Sequence, residues 1–237
     1  IGMFLFLLGL AGESVYRERY PEKLSLGSFF TRRGLRTRRF LLQGAIGLAL
    51  TALFFCYQEV FYFVALRFGA WAPMEVPYSE LLNTAFPWVF ILLIGFLPAV
   101  SEEFLFRMFP IPFLQKHTRS TALALLLPAF IWGFAHSDYP NQPFFIRGLE
   151  VGLAGVAVGA VMLRFGILAP LVWHFTVDAL YTATLLFRSG NAYYILSAAV
   201  AGGILLFPFI WAAVAYLRTG RFETPDGLRN RDVTQRL

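Results

Sequence analysis

Charged side chains are scarce in this chain of 237 residues. Only 14% of the residues are Asp, Glu, Lys or Arg, whereas 58% are hydrophobic. Soluble domains usually carry about 25% charged and about 45–50% apolar residues, because they must cover themselves with polar surface. The composition therefore excludes a water-soluble globular domain and predicts an integral membrane protein.

Cysteine is almost absent, and the excess of positive charge is modest. Cys56 is the single cysteine, so no disulfide can form within the chain, and we expect it to be a small buried residue. The net charge is +6, but the basic residues flank apolar runs. This placement is typical of membrane topology rather than of nucleic-acid binding, which we do not expect.

Six apolar runs are long enough to cross a bilayer, which takes about 20 residues per helix. They are continuous rather than alternating, which favours helices over the strands of a barrel. The sequence therefore predicts an all-α, polytopic transmembrane helical bundle with about six full spans. An apolar stretch at the start, Ile1–Ala11, is interpreted as a truncated helix. The six runs are Phe40–Leu66, Thr84–Phe109, Thr121–His136, Phe144–Leu163, Ile167–Phe187 and Tyr193–Leu217.

Basic segments alternate with basic-poor ones along the chain. Residues 16–39 hold eight Lys and Arg residues, whereas residues 67–83 hold one. Under the positive-inside rule, residues 1–39 are a partial apolar helix followed by a basic cytoplasmic segment. Residues 40–217 are then the membrane-embedded domain, and residues 218–237 are a basic cytoplasmic tail. We expect a bacterial inner membrane, with membrane lipid as a partner.

Ionisable residues within the apolar runs suggest a functional site, because each costs about 2.5–3.5 kcal/mol on insertion scales. Glu103 and Arg107 are four residues apart on one helix face, so we expect an ion pair between them. Glu102 points about 100° away and has no partner on its own helix, which leaves it available as a base. Arg147 and Glu150 are expected to form a second pair that is structural or lines the site.

Histidines supply the other polar groups of the apolar runs. Counting about 1.5 Å per residue from the turn at Lys116 places Glu102 about 20 Å and His136 about 25 Å into the membrane, so the two can meet. His174 and Asp178 are four apart on one face of the fifth run. Such a pair can orient an imidazole, hold a metal, stabilise an anion or join helices. We expect one shared internal site.

Together these motifs resemble the CPBP family, which comprises the CAAX prenyl protease, bacteriocin-processing and Abi group of intramembrane endopeptidases. That family carries Glu-Glu-x-x-x-Arg, Phe-x-x-x-His and His-x-x-x-Asn or Asp on successive transmembrane helices. The resemblance covers roughly residues 84–187. The matching positions are Glu102, Glu103 and Arg107, then His136, then His174 and Asp178.

Two positions differ from the commonest form of the motifs. Trp132 stands four residues before His136, where the family has Phe, and it still supplies an apolar wall. Asp178 stands where Asn is usual, and an ionised Asp178 cannot donate a hydrogen bond to an oxyanion. Asp178 would then be protonated, orient His174 or ligate a metal.

The resemblance implies hydrolysis of a peptide bond in a membrane-associated protein or peptide, with CAAX-like substrates as the family association. Glu102, assisted by His136, would remove a proton from water. His174, together with Asp178, would stabilise the oxyanion. The pair of Glu103 and Arg107 would hold this geometry.

Alternatives stay open for the cofactor and for the function. Glu102, His136 and His174 could instead bind zinc, since three ligands plus water make the usual open catalytic site. The chain lacks a His-Glu-x-x-His motif, and the resemblance to CAAX-processing enzymes favours a glutamate mechanism without a cofactor. A non-catalytic immunity or scaffold protein of the same family is a second hypothesis. A small transporter is a third, which the ordered motifs disfavour.

Overall fold

The computed structural model describes residues 2–72 and 84–231. In these residues all regular structure is helical and no strand forms, which confirms the predicted all-α membrane bundle. A 3-10 turn, Leu26–Phe30, precedes α2, and a π-helical turn, Phe104–Met108, joins α4 to α5. The helices are α1 Gly2–Arg19, α2 Arg32–Leu35, α3 Arg38–Leu66, α4 Pro87–Glu103, α5 Pro110–Thr118, α6 Thr121–Phe134, α7 Ile146–Phe165, α8 Leu168–Arg188 and α9 Ala192–Thr219.

Four continuous helical segments are long and apolar enough to cross a membrane. They are α3, α7, α9 and the stretch Pro87–Thr118, in which α4 continues through the π turn into α5. The two other predicted runs form α6 and α8. With 14 residues, α6 is about 20 Å long, which is shorter than the roughly 30 Å hydrocarbon core. It ends at Phe134, so His136 lies in the following turn rather than in the helix, as the predicted run had it.

Some predicted features lie outside the described residues. These are the first residue of the N-terminal apolar stretch, the part of the predicted loop at 73–83, and the tail from residue 232 onwards. The N-terminal helix itself extends beyond Ala11 to Arg19.

Polar residues mark the start of three helices. Thr37, Ser120 and Asn191 are the N-caps of α3, α6 and α9, and each side-chain oxygen accepts a hydrogen bond from a backbone N–H two or three residues ahead. Loss of such a cap typically costs about 1 kcal/mol. These caps help to fix the point at which each apolar run becomes helical.

The basic segments gather at one end of the bundle. Lys23 donates to the carbonyl of Arg164 at 2.7 Å and thereby joins the segment after α1 to the end of α7. Lys116 pairs with Glu18 at 2.8 Å and joins α5 to α1. Backbone bridges between residues 24 and 229 and between residues 37 and 223 bring the C-terminal segment to the same place. We call this face, formed by residues 16–39, 116–120, 164–167 and 218–231, the basic end.

The glycines of α7 allow close packing against α6. A Cβ atom added to Gly152 would lie 2.6 Å from the ring of Phe130, and one added to Gly155 would lie 3.1 Å from both Arg107 Nη2 and Trp132 Cε3. These glycines belong to the spacings Gly148-x-x-x-Gly152 and Gly155-x-x-x-Gly159, which let neighbouring helices approach closely. This packing presses α6, and with it Trp132, towards the end of α4.

Candidate active site

All six side chains selected from the sequence lie in one connected cluster. Three segments meet there: the end of α4 with the π turn, the turn after α6, and the first half of α8. The contacts are Glu102 with His136 (4.0 Å) and His174 (3.8 Å), Glu103 with Arg107 (3.1 Å) and His174 (2.7 Å), and His174 with Asp178 (3.6 Å).

Glu103 is the buried centre of this cluster, with 0% of its side chain exposed. Its Oε1 accepts hydrogen bonds from Arg107 Nη1 at 3.1 Å and from His174 Nδ1 at 2.7 Å. Arg107 lies in the π turn, where the Phe109 N–H bonds to the carbonyl five residues before it. The ion pair with Arg107 was predicted from the sequence, because the two residues are four apart on one helix. The bond to His174 joins residues far apart in the chain, and sequence reasoning missed it.

The two ring nitrogens of His174 therefore have different surroundings. An ionised carboxylate only accepts hydrogen bonds, so we assign the Nδ1 proton to the bond with Glu103. The Nε2 atom faces the other way and lies 3.8 Å from Glu102 Oε2 and 3.6 Å from Asp178 Oδ2. One imidazole thus contacts both adjacent glutamates, one on each edge.

His136 is the second histidine near Glu102 Oε2. Its Nδ1 lies 2.8 Å from the carbonyl oxygen of Trp132, which accepts only, so this nitrogen carries the proton. Its Nε2 then presents a lone pair 4.0 Å from Glu102 Oε2. The ring packs edge-on against Trp132 and stacks on Tyr139. These contacts hold Nε2 towards Glu102.

Trp132 does more than form the apolar wall predicted from the sequence. Its Nε1–H donates to Glu102 Oε2 at 2.5 Å, and the Arg107 guanidinium lies 3.8 Å from the centre of its ring. The ring itself is buried. A buried indole usually finds an acceptor for its N–H, and this was the available signal for a polar role. Trp132 therefore links the end of α4 to α6 by both a hydrogen bond and a cation–π contact.

The exposure of the cluster is uneven. Glu102 is 29% exposed and His136 is 19% exposed, while Glu103 is fully enclosed. The chain is non-helical between α6 and α7, where Asn141 donates to the Tyr62 hydroxyl at 2.9 Å. At membrane depth such backbone is tolerated only where it packs on protein or lines a water-filled cavity. The partly exposed side of the cluster therefore lies next to this non-helical segment, which contains His136.

The second predicted pair, Arg147 with Glu150, lies next to this non-helical segment. Arg147 pairs with Glu150 on α7, and its guanidinium lies 5.2 Å from the ring centre of Tyr139, which in turn stacks on His136. Glu150 is completely buried, so the pair is held by the protein rather than by solvent. Both predicted roles, structural and site-lining, apply to Arg147.

A metal site was one alternative for Glu102, His136 and His174. In residues 2–72 and 84–231, no group of three or more His, Cys, Asp or Glu side chains has an arrangement that could hold a metal ion. The Nε2 atoms of the two histidines lie 4.0 and 3.8 Å from Glu102 Oε2. Their Nδ1 atoms bond to the Trp132 carbonyl and to Glu103, so Nε2 is the nitrogen of each ring that is left for a ligand.

Comparisons with known proteins point to a protease family. Residues 84–180 match the sequence model of the type II CAAX prenyl endopeptidase Rce1-like family. A stretch of 77 residues is 26% identical to the sporulation-killing factor biosynthesis protein SkfC of Bacillus subtilis (strain 168) and covers 32% of this chain but only 16% of that protein. No solved structure gives a significant match. All six site residues lie within residues 84–180, so the matched region is the one that carries the motifs, and the match supports the resemblance to the CPBP family.

Proposed function

We propose that this chain is an intramembrane endopeptidase in which Glu102 is the general base. The observation that carries the proposal is the position of Glu102 Oε2, which lies within 4.0 Å of the Nε2 atoms of both His136 and His174. The match of this region to a protease family supports the reaction type. The substrate is a protein or peptide associated with the membrane.

The gap between Glu102 and His136 suits a water molecule. A water about 2.8 Å from each of two atoms that are 4.0 Å apart makes normal hydrogen bonds to both. It would donate one hydrogen to the His136 Nε2 lone pair and the other to the carboxylate, and its own lone pair would face the peptide carbonyl. As the oxygen attacks, Glu102 takes the proton, and it returns that proton to the leaving amine when the peptide bond breaks.

In the proposed mechanism, His174 stabilises the oxyanion. When protonated, it would donate a hydrogen bond to the oxyanion from Nε2, the nitrogen that lies 3.8 Å from Glu102 Oε2. Glu103 holds the ring through Nδ1, and Arg107 holds Glu103. Asp178 lies 3.6 Å from Nε2 and would support the charged ring, so the mechanism does not need a hydrogen bond from Asp178 to the oxyanion.

The substrate class follows from the matched family. Its description names CAAX prenyl endopeptidases, so a farnesylated CAAX peptide is the first substrate to test. The similarity to a protein of sporulation-killing factor biosynthesis suggests the precursor of such a killing factor as a second substrate to test. We place the protein in a bacterial inner membrane with the basic end and the C-terminus in the cytoplasm, because the positive-inside rule favours that orientation.

The test uses the full chain in liposomes with an internally quenched, farnesylated CAAX peptide. We expect Glu102→Gln to lower the cleavage rate by about 10²- to 10⁴-fold, the usual contribution of a general base. The matched control is Glu59→Gln, which changes an exposed glutamate of α3 outside the site and should cleave normally. Equal cleavage by wild type and Glu102→Gln would refute the mechanism. A cellular phenotype that survives Glu102→Gln would favour the non-catalytic scaffold role.

Metal dependence has a separate test. The glutamate mechanism predicts that cleavage persists after dialysis against EDTA and 1,10-phenanthroline, and that purified active protein contains far less than one zinc per chain. Loss of activity that is restored by added zinc, together with one tightly bound zinc atom, would overturn the metal-free mechanism in favour of the zinc alternative.

A further inference from the structure

A cavity of about 320 Å³ opens at the basic end of the bundle, away from the candidate active site. Three elements meet around it: the C-terminal turn of α1, the C-terminal part of α5 and the first residue of α6. Its lining is polar or charged throughout. The lining residues are Arg19, Gln115, Lys116, Arg119 and Thr121.

Two of the cations at this cavity lack a counter-charge. Lys116 is neutralised by Glu18, whose two oxygens lie 2.8 and 3.1 Å from its Nζ. Arg19 and Arg119 have no ion-pair partner among residues 2–72 and 84–231. Two guanidinium groups on different helices therefore share a cavity with uncompensated positive charge. Guanidinium is well suited to a phosphate group because its fork of donors matches phosphate oxygens.

The floor of the cavity is held in place by hydrogen bonds. Gln115 accepts from the Tyr20 hydroxyl at 2.7 Å and donates to Thr121 Oγ1 at 3.0 Å. The Thr121 hydroxyl is thereby used as an acceptor, so its own hydrogen is available to a ligand oxygen. The cavity thus offers neutral donors as well as charge.

Exposed apolar side chains lie near the cavity on the same two helices. On α6, Leu123 is two residues after Thr121 and 53% exposed, and Leu127 is about one turn further along and 51% exposed. On the neighbouring α5, Phe113 is also exposed. The polar cavity therefore lies beside helices that also expose apolar side chains, as expected where a membrane protein meets the lipid headgroups.

We propose that this cavity binds the phosphate of an anionic phospholipid headgroup, with the acyl chains in the surrounding bilayer. Basic pockets between helices at the membrane surface are known to take such headgroups. The site is separate from the glutamates and histidines of the candidate active site, and the proposal does not depend on proteolytic activity. Free phosphate shares the headgroup chemistry and is the other source to be distinguished.

The experiment measures ligand binding to the full chain in detergent by native mass spectrometry. The probes are dioctanoyl phosphatidylglycerol, dioctanoyl phosphatidylcholine and inorganic phosphate. The test variant is Arg19→Gln/Arg119→Gln, which leaves the Lys116 pair with Glu18 intact. The matched control is Arg32→Gln/Arg33→Gln, which removes the same charge from the same end of the bundle but outside the cavity.

We expect one phosphatidylglycerol to bind in preference to phosphatidylcholine. The test variant should weaken it by about fivefold per cation removed, roughly 25-fold in all, and the control should leave it nearly unchanged. Phosphate that binds alone with the same loss in the test variant would support the cavity but assign it to free phosphate. Equal weakening in the two double variants, or equal binding of the two lipids, would overturn the proposal. Unchanged thermal unfolding of both variants shows that the fold is intact.

Discussion

Replacing Trp132 by phenylalanine, the residue that the CPBP motif carries at this position, removes one hydrogen bond from Glu102 and little else. The indole N–H donates to Glu102 Oε2 at 2.5 Å. The six-membered ring of phenylalanine retains an aromatic face for the Arg107 guanidinium, which lies 3.8 Å from the Trp132 ring centre. The substitution therefore removes the hydrogen-bond donor of Trp132 and keeps an aromatic, apolar side chain at the same position.

The expected effect is a lower rate of cleavage. The indole N–H helps to hold Glu102 Oε2 near the Nε2 atoms of His136 and His174. A hydrogen bond to a charged group contributes about 1.5–3 kcal/mol, and about 1.4 kcal/mol corresponds to a tenfold change in rate. We therefore expect Trp132→Phe to lower kcat by about 10- to 100-fold.

The assay measures kcat and KM separately for the quenched peptide in liposomes, for wild type and Trp132→Phe. The control is Trp211→Phe, which makes the same chemical change on α9 outside the site. The loss should appear in kcat and leave KM nearly unchanged, because the proposed role of Glu102 is to act on water rather than to bind the substrate. An unchanged kcat in Trp132→Phe, or an equal loss in Trp211→Phe, would refute a positioning role for the indole N–H.

Three further substitutions test the cluster and its packing. Glu103→Gln leaves the buried Arg107 without its counter-charge and should cost about 3–5 kcal/mol, seen as a lower unfolding temperature in detergent. Asp178→Asn should keep cleavage within about tenfold of wild type, measured as kcat, because the mechanism above gives this side chain only a supporting role. Gly155→Val forces methyl groups into a space where a Cβ is already 3.1 Å from Arg107 Nη2, and should cost about 1–3 kcal/mol. The control for this third substitution is Gly202→Ala on α9. The added Cβ meets no atom within 4 Å, so stability should be unchanged or slightly raised.

The fold class was predictable because a bilayer imposes a simple rule on sequence. Backbone groups must be satisfied within each spanning segment, so long continuous apolar runs become helices, and all six predicted runs did so. The length of α6 was not predictable from hydropathy. Its apolar run continues to His136, but the helix ends at Phe134, and His136 lies in the following turn, 4.0 Å from Glu102.

The site was predictable only where its contacts are local. The Glu103 pair with Arg107 follows from a spacing of four on one helix. The bonds from His174 to Glu103 and from Trp132 to Glu102 join different helices, so no spacing rule reveals them. A position in the site could nevertheless have been predicted for Trp132, because it stands four residues before His136 and residues four apart lie on the same side of a helix.

The helical step between Glu102 and Glu103 explains why two adjacent carboxylates can have different tasks. A rotation of about 100° turns Glu103 into the protein, where it is enclosed and meets Arg107, and leaves Glu102 29% exposed. His174 then joins the two acids, since Nδ1 contacts Glu103 and Nε2 faces Glu102. Under the proposed mechanism, the enclosed acid fixes the ring, because Arg107 offsets its charge, and the partly exposed acid is the one that takes a proton from water. Exchanging the two environments would leave the same residues in the sequence but would enclose the proposed base.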